Sequence, residues 1–463
     1  MKILIVSYLA PPHNAIGAVR VGKTAKYLTR FGHEVRLLTA RDLPLAPTLD
    51  VELPPERVIA TKWADVHVPF RLAIRGVQRV LGLIPFARRA AAGMNEAPPA
   101  RSPNAADATA LPDFRRRSGG LRLQAYNLYT GLVHMPDAAA GWYPYAMRAG
   151  NEMIRGWRPD VILASGGPWT SLLVGARLSQ HHGIPWVAEL RDLWSENPMW
   201  ITAEWRRGVD RLVERKVLGT ASALITVSEP LAESLRRTYR APVSVVLNGY
   251  DAEHTPDTLP GGTPGVPLRI VYTGNLFPGR DLSPLLRALL LLGDDINDVR
   301  VEIVGNRDTT LQAHYEQLAA QVGLGTTLRW LPAVSHREAM QVQRAADVLL
   351  LLTANDPAER GVYTGKIFEY VGARRPILLI GLQEGVAADL VRANARGAAV
   401  LTPEDIASRL RCWLEAKRSG VAIPDVSAAT TEQFTREAQT RVVERVLDDV
   451  VRTRATSGAT RPR

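Results

Sequence analysis

Short apolar runs alternate with amphipathic stretches along the chain, a pattern typical of alternating strands and helices. Near the N-terminus, residues 3–6 form a buried-strand pattern. A loop leading to Gly17 follows, and then a helical pattern places Val21, Ala25 and Leu28 on one face. Strand, glycine loop and helix begin a βαβ unit. Similar runs occupy residues 35–39, 161–164, 185–189 and 224–227. The first half therefore predicts a doubly wound parallel α/β sheet.

A second domain is predicted beyond residues 252–267, which are rich in Pro, Gly and Thr and suit an extended linker. The 463 residues exceed what one hydrophobic core usually organises. After the linker, strand patterns resume at residues 270–273, 301–304, 328–331, 348–352 and 377–380. We therefore predict an N-terminal Rossmann-like domain over 1–251 and a C-terminal one over 268–452. The last helix of the second domain could cross back to the first, and 453–463 is predicted to be a disordered tail.

A basic insertion at about 70–120 interrupts the first domain. Arg71, Arg75 and Arg79 recur at helical spacing, and apolar residues gather on the opposite side of the helical wheel. No acidic residue occurs over 71–89, while 93–120 has the composition of a flexible loop. Two interpretations stay open: an interfacial helix on an anionic membrane leaflet, or a solvated arginine face over an ordinary core helix.

Composition narrows the class of protein. Hydrophobic residues make up 46% and charged residues 22%, which is ordinary for globular domains. The single cysteine, Cys412, fits a reducing compartment. The N-terminal apolar run suits a strand better than a signal peptide, and no run of about 18 apolar residues occurs. We expect a cytoplasmic protein that could bind the inner face of the cell membrane peripherally. The net charge of +11 suits an anionic partner: nucleic acid, anionic lipid or a phosphorylated substrate.

Two loop-to-helix segments in the second half have the chemistry of phosphate sites. Gly365, Lys366 and Glu369 stand at the start of a predicted helix, whose free amide groups and dipole favour an anion. An ion pair between Lys366 and Glu369 is the structural alternative. Upstream, Gly274 permits close backbone approach and Arg280 lies near another helix start. Two such loops indicate a diphosphate, and neither matches an ATPase or dinucleotide fingerprint.

The order of several short motifs resembles glycosyltransferase family 4, the retaining GT-B enzymes that build bacterial polysaccharides and glycolipids. The resemblance spans nearly the whole chain. It rests on the loop from Pro11 to Gly17 and on residues 32–35, 189–194, 226–229, 248–251, 272–274, 331–334, 345–347 and 366–370, followed by Pro376. It implies two doubly wound Rossmann-like domains facing across a cleft. The donor would bind mainly to the C-domain and the acceptor mainly to the N-domain.

The resemblance also implies roles for individual residues. Arg280 takes the place of a pyrophosphate-binding lysine, and Lys366 supports the same charge. Glu369 matches the ribose-holding second glutamate of a paired motif. The implied donor-binding residues are Gly17, Gly274, Asn275, Arg280, Val334, Lys366, Ile367, Phe368 and Glu369, with Gly17 near the phosphate, Val334 near the base, and Asn275 where the family commonly has arginine.

One departure from the family concerns the first glutamate of the paired motif. It would fall at Gly361 and is absent. Glu359 or Asp356 could replace it, although their spacing differs. Because that position normally helps to hold the sugar, the identity of the donor sugar stays open.

Polar residues of the first domain complete the candidate site. Arg191 and Asp192 follow a strand, so they would lie at its carboxyl end, where open α/β sheets bind ligands. A structural ion pair is the alternative for both. His134 and His13 are further candidates, although a lone histidine is more often structural. We assign catalytic roles to Arg280, Lys366, Asp192 and His134, and acceptor or cleft roles to His13 and Arg191.

The resulting hypothesis is a retaining glycosyltransferase. It would move a sugar from a nucleoside diphosphate sugar, expected to be UDP-linked, to a hydroxyl of a saccharide or lipid-linked acceptor. Without an Asp-x-Asp signature beside the phosphate loops, no obligatory metal or other cofactor is predicted. A UDP-sugar epimerase of similar architecture is the alternative enzyme. A nucleic-acid-binding protein is the alternative class, disfavoured because no recognised nucleic-acid motif occurs. The acceptor and the oligomeric state stay open.

Overall fold

The computed structural model describes residues 1–66, 131, 134–197, 204–254, 262–394 and 396–459. The chain forms two compact units. The first unit comprises Met1–Thr226, Ser234–Ser244 and Val443–Arg463, and the second comprises Val227–Glu233 and Val245–Val442. The basic segment at 71–89 and the loop predicted at 93–120 lie outside the described residues.

The first unit is built on a seven-stranded sheet of order β3-β2-β1-β4-β5-β6-β7. Its strands are β1 (Lys2–Val6), β2 (Glu34–Ala40), β3 (Val58–Thr61), β4 (Val161–Ser165), β5 (Trp186–Leu190), β6 (Ala223–Thr226) and β7 (Val243–Val245). Its helices are α1 (Ile16–Arg30), α2 (Tyr143–Gly156), α3 (Thr170–His182) and α4 (Glu204–Leu218), and α5 (Glu229–Thr238) divides between the units.

The centre of this sheet lies at β1 and β4. Every residue of β1 after Lys2 is buried, and Ile3 pairs with Val35 of β2 on one side and Val161 of β4 on the other, both in parallel. The strand order reverses between β1 and β4. In open parallel sheets such a reversal creates a crevice at the carboxyl ends of the two strands. The loops after β1 and β4 are therefore where this unit can hold a ligand.

The second unit carries a six-stranded parallel sheet of order β10-β9-β8-β11-β12-β13. Its strands are β8 (Leu268–Thr273), β9 (Val299–Val304), β10 (Leu328–Leu331), β11 (Val348–Leu352), β12 (Ile377–Ile380) and β13 (Ala398–Val400). Its helices are α6 (Ser283–Leu290), α7 (Thr309–Gln321), α8 (His336–Ala345), α9 (Gly365–Gly372), α10 (Val386–Asn394), α11 (Pro403–Arg418), α12 (Ala428–Thr431) and the first part of α13 (Arg436–Ala459). Its strand order reverses between β8 and β11.

The predicted fold class is confirmed: the chain is α/β with two Rossmann-like sheets. Three strands, β3, β7 and β13, were not identified in the sequence: β7 and β13 have only three residues each, and none of the four residues of β3 is fully buried. No described helix is long and apolar enough to cross a membrane.

Two expectations about segment boundaries are corrected. The helix α13 continues to Ala459, so residues 453–459 are helical rather than a disordered tail; residues 460–463 lie outside the described part. Residues 227–233 and 245–251 group with the second unit, whereas the predicted N-terminal domain ran to 251. The sequence pattern could not show this, because unit membership depends on tertiary contacts and the Pro- and Gly-rich linker only marks where regular structure stops.

Candidate active site

The two predicted phosphate loops of the second unit meet at its strand reversal. The first leaves β8 at Gly274, and the second enters α9 after β11. Gly274 has a φ of +92°, and a Cβ at this position would lie 2.9 Å from Cε of Lys366. A side chain would be strained there and would also collide with the lysine. Glycine at 274 therefore lets the two loops approach each other.

Lys366 points its ammonium group back toward the loop after β8. Nζ donates to the Tyr272 hydroxyl at 2.7 Å and to the Asn275 carbonyl at 3.1 Å. It also lies 4.3 Å from the centre of the Tyr272 ring. Between these two described residues no ion pair joins Lys366 to Glu369, so the alternative interpretation of a helical ion pair is not what the structure contains.

Arg280 occupies the same neighbourhood. Its guanidinium lies 5.2 Å from the centre of the Phe277 ring and hydrogen-bonds the Tyr272 hydroxyl. The carboxylate of the neighbouring Asp281 does not pair with Arg280. It accepts a hydrogen bond from the Ser283 amide at 2.8 Å, at the start of α6. Within the described ranges Arg280 has no carboxylate partner. Two cations thus converge on one tyrosine hydroxyl.

This arrangement lowers the pKa of Lys366. Burial lowers its pKa to about 7, the charge of Arg280 adds to the effect, and Glu369 opposes it. A buried lysine beside another cation favours its neutral form unless an anion arrives. The site is therefore poised to bind a negatively charged group.

The N-terminus of α9 adds uncommitted amide donors. Its N-cap residue, Thr364, is buried but makes no side-chain capping bond, and its hydroxyl has no hydrogen-bond partner among the described residues. The first amide groups of a helix have no intrahelical acceptor and carry the positive end of the dipole. An anion at this end would meet these amides as well as Lys366.

Glu369 and Val334 border the same end of the sheet. Glu369 lies one turn into α9, its side chain is 34% exposed, and Oε1 is 4.0 Å from Nδ1 of His336. Val334 is 40% exposed in the loop before α8. In that loop, Cα of Ala333 lies 3.6 Å from where a Cβ on Gly305 would be. The loops that follow β9 and β10 therefore touch.

In the first unit, Arg191 joins three loops at the carboxyl edge of the sheet. Its Nε donates to the Gly166 carbonyl at 2.9 Å and Nη2 donates to the Gly167 carbonyl. A Cβ on Gly17 would lie 1.6 Å from Nη1, so only glycine fits beneath the guanidinium. The structure thus brings together Gly17 and Arg191, which the sequence named separately.

A buried ion pair lies behind Arg191. Glu189 accepts from Arg20 Nε at 2.9 Å and from the Ser165 hydroxyl at 2.6 Å. Burial alone would raise the pKa of Glu189, but Arg20 and the Ser165 bond outweigh it and hold that pKa below its ordinary value. Asp192 behaves oppositely: burial raises its pKa and Arg191 offsets this only in part, although some of its surface stays open to solvent. Asp192 therefore has a raised affinity for a proton.

The two candidate histidines are both buried in the first unit. His13 is 7% exposed in the loop before α1, and its Nδ1 has no hydrogen-bond partner among the described residues. Burial lowers its pKa, so the neutral ring is favoured. His134 is 5% exposed, and its carbonyl accepts from Arg206 at 2.6 Å. No described contact joins either histidine to Asp192.

The family model described as "Glycosyl transferase 4-like domain" matches residues 17–250 of this chain. The chain belongs to this glycosyltransferase family. The match runs from Gly17 through the Arg191 loop to Tyr250, so it includes the first-unit site just described. No curated protein sequence matches the chain significantly.

Solved structures resemble the whole glycosyltransferase. HepE from Anabaena, in complex with UDP, is 15% identical with a TM-score of 0.58, covering 97% of this chain and all of its own. Sucrose-phosphate synthase from Thermosynechococcus elongatus is 15% identical with a TM-score of 0.56, covering 98% and 100%. A glycosyltransferase from Rickettsia africae is 13% identical with a TM-score of 0.58, covering 97% and 98%. At these identities the similarity establishes the fold.

Gly361 stands where the family has its first glutamate, and its surroundings are crowded. A Cβ on Gly361 would lie 2.7 Å from Cδ1 of Leu231 and 3.3 Å from Cβ of Pro230, so a side chain at this position would have to displace the end of Leu231. Of the two suggested substitutes, Asp356 is engaged in accepting from the Ala358 amide at 2.9 Å. Glu359, two residues before Gly361, is half-buried. Among the two, Glu359 retains the freer carboxylate.

For three of the predicted donor-binding residues, the structure shows which atoms are buried or already engaged. The side chains of Ile367 and Phe368 are 0% and 1% exposed and pack in the core of the second unit, so only their backbone could face a ligand. Oδ1 of Asn275 accepts from the Arg307 amide at 2.9 Å and so braces the neighbouring loop. Ile367 and Phe368, which directly follow Lys366, lie on the inward face of α9. The helical period of the sequence therefore indicates by itself that these two side chains are buried.

Sequence reasoning missed Tyr272, the residue that connects the cations. Its hydroxyl donates to the Asn275 carbonyl at 2.6 Å while receiving Lys366 and Arg280. Tyr272 was treated as part of a strand because it precedes Thr273 and Gly274 in an apolar run. His336 beside Glu369 was also missed, since nothing in the chain order links α8 to α9.

Proposed function

We propose that this glycosyltransferase transfers a sugar from a nucleoside diphosphate sugar, expected to be UDP-linked, to an acceptor hydroxyl with retention of configuration. The acceptor would be a saccharide or a lipid-linked sugar in the synthesis of cell-surface polysaccharide or glycolipid. The observation that carries the proposal is the convergence of Arg280 and Lys366 on the Tyr272 hydroxyl, with Lys366 in the first turn of α9, whose N-cap makes no side-chain capping bond. HepE, whose structures contain UDP and UDP-glucose, supports the choice of donor.

The diphosphate would bind between the two cations and the first amides of α9. Gly274 leaves the backbone of the loop after β8 accessible, and the lowered pKa of Lys366 rises again when a phosphate neutralises its surroundings. One turn further, Glu369 can accept hydrogen bonds from a ribose diol. The exposed Val334 would border the base. The proposed diphosphate, ribose and base contacts therefore lie next to one another along the carboxyl edge of the second unit's sheet.

The transfer breaks the bond between the anomeric carbon and the diphosphate oxygen and forms a bond from that carbon to the acceptor oxygen. Negative charge grows on the departing diphosphate as the first bond breaks. Arg280 and Lys366 stabilise this developing charge more than the charge of the bound donor. The proton of the acceptor hydroxyl passes to an oxygen of the leaving phosphate. No metal ion is needed to balance this step.

We assign the acceptor to the first unit. Arg191 retains guanidinium N–H groups beyond the two that bind Gly166 and Gly167, and these can hold acceptor oxygens. Asp192, with its raised pKa, and the buried His134 are the proposed catalytic contributors there, and His13 is a proposed acceptor contact. An anionic membrane surface, bound through residues 71–89, remains a proposed partner from the sequence alone.

The test combines binding with product analysis. A thermal-shift panel of UDP-, GDP- and ADP-sugars should show stabilisation by one base, because a ligand of the native state raises stability by mass action. Lys366→Ala and Glu369→Ala should lose that response, while Arg287→Ala, a control on the exposed face of α6, should keep it. Formation of a new glycoside with the donor's anomeric configuration supports the proposal. Release of UDP without a glycoside would indicate the epimerase instead, and the absence of any nucleotide response would refute the donor site.

A further inference from the structure

The helix α4 buries several charged residues and exposes two large apolar ones. The side that packs on the unit holds three charged residues: Arg206 is 3% exposed, Asp210 1% and Glu214 7%. The outward side carries Trp205, 46% exposed, and Leu212, 69% exposed. An ordinary surface helix buries an apolar stripe and exposes charge. The inward side of α4 also carries Val213, Val217 and Leu218, which pack on the core, so the features to explain are the three buried charges and the two exposed apolar residues.

The buried charges are explained by local hydrogen bonding. Arg206 binds Asp210 through Nε at 3.0 Å, and its Nη2 donates to the carbonyls of His134 at 2.6 Å and Pro136 at 2.9 Å. Glu214 accepts from the Ser195 amide at 3.0 Å. These polar groups hold irregular loops whose carbonyl and amide groups would otherwise be unsatisfied. The three buried charges of α4 therefore have a structural role.

On the outward side, the edge of the Trp205 ring lies near Gly131, where an added Cβ would be 3.1 Å from Cζ2, yet 46% of Trp205 and 69% of Leu212 stay exposed. Trp205 and Leu212 are seven residues apart, which places them two turns apart on one stripe. Arg211, Arg215 and Lys216 are exposed around this stripe and form no ion pair with any described residue. Glu204, the acidic residue at the start of the helix, is paired with Arg207 at 3.5 Å. We call the surface formed by Trp205, Leu212, Arg211, Arg215 and Lys216 the α4 face.

We propose that the α4 face docks on an anionic lipid bilayer surface. A tryptophan and a leucine flanked by unpaired cations suit the boundary between lipid headgroups and acyl chains, where the ring and the alkyl chain are buried while the cations meet lipid phosphates. A second copy of this chain is a poorer occupant, because pairing this face with itself would bring three exposed cations against three others. The surface consists of described residues and includes none of residues 71–89.

The first experiment is flotation of the full-length protein with vesicles. We expect binding to phosphatidylcholine vesicles that contain phosphatidylglycerol and little binding to phosphatidylcholine alone. Since each basic residue near such a surface contributes about fivefold in partitioning, Arg211→Gln, Arg215→Gln and Lys216→Gln combined should weaken binding on the order of 100-fold. The matched control, Arg148→Gln, Arg155→Gln and Arg177→Gln on α2 and α3, removes the same charge from other exposed positions and should cost far less.

The second experiment reports insertion directly and does not depend on charge. In a Cys412→Ser background, which removes the exposed native thiol, an environment-sensitive fluorophore is attached at Leu212→Cys. Its emission should shift to shorter wavelength with anionic vesicles, whereas the same label at Val421→Cys, exposed in the second unit, should not shift. Trp205→Ser with Leu212→Ser should abolish flotation while leaving release of UDP from a soluble donor unchanged.

Three outcomes would overturn the proposal. Flotation that survives both α4 variants but is lost in Arg71→Glu, Arg75→Glu and Arg79→Glu would assign membrane binding to the insertion instead. If the wild type does not float with anionic vesicles at low ionic strength, a membrane is ruled out as the partner of the α4 face. A shift in oligomeric state caused by Trp205→Ser with Leu212→Ser, without any effect on flotation, would make the α4 face a protein interface.

Discussion

The lowered pKa of Lys366 predicts that nucleotide binding takes up a proton. Its pKa lies at about 7 because of burial and of Arg280, against an ordinary value of 10.5. A bound diphosphate supplies the missing counter-charge and should return the pKa toward its ordinary value. The protonated form then binds, so affinity is highest below about pH 7 and falls as pH rises above it. With these two values, affinity should fall about tenfold per pH unit between pH 8 and 9.

Isothermal titration calorimetry with UDP measures this directly. At pH 8 about nine tenths of the free lysine is neutral, so about 0.9 proton should be taken up per UDP bound, read from the heats in buffers of different ionisation enthalpy. At this pH the terminal phosphate of UDP, whose second pKa is about 6, and ordinary histidines contribute little. Lys366→Arg keeps the charge at every pH and should bind without proton uptake. Uptake below about 0.2 proton in the wild type, or the same uptake in Lys366→Arg, would refute the reasoning.

Four further predictions follow from the same site. Arg280→Ala should lower kcat on the order of 100-fold with a smaller change in donor KM, and Arg280→Lys should restore part of it; an unchanged kcat at saturating donor would remove Arg280 from the mechanism. Lys366→Ala and Glu369→Ala should each weaken donor binding by about 2 to 5 kcal/mol with an unchanged circular dichroism spectrum, and effects within twofold in both would contradict the assignment. Because the unfolded chain binds more protons at Lys366 between pH 7 and 10.5, wild type should gain thermal stability relative to Lys366→Met from pH 7 to 9, as differential scanning calorimetry can show. Gly361→Glu should lower the unfolding free energy by about 1 to 3 kcal/mol rather than raise activity, since its Cβ meets Leu231; a faster enzyme of equal stability would contradict this.

The sequence predicted the parts of the site that depend on local order along the chain. Gly274 and Arg280 lie just after an apolar strand, and Lys366 stands at a helix start, so their placement at the carboxyl edge of a parallel sheet follows from βαβ geometry. The strand reversals that bring such loops together are a property of the fold class. Ile367 and Phe368 were assigned to the donor because they adjoin Lys366, although the 3.6-residue period turns them inward.

Relations between distant segments were decided by the tertiary structure alone. Tyr272 gained its place between Lys366 and Arg280 because two loops 90 residues apart pack edge to edge, and strand periodicity treats it as core. The tertiary structure likewise decided that the Arg191 guanidinium lies against Gly17 and that Leu231 packs against Gly361.

The α4 helix shows the difference most clearly. Its sequence places Val209, Val213 and Val217 along one side at helical spacing, but it does not indicate which of the charged residues are buried. The carbonyl groups of Gly131, His134 and Pro136 accept hydrogen bonds from Arg206 in the interior, and this orientation of the helix turns Trp205 and Leu212 outward. Sequence therefore determined the sheets, the helix starts and the charged candidates, because these depend on short-range periodicity and backbone chemistry. Only the structure determined which charges are buried and which are free, because hydrogen-bond satisfaction depends on partners far apart in the chain.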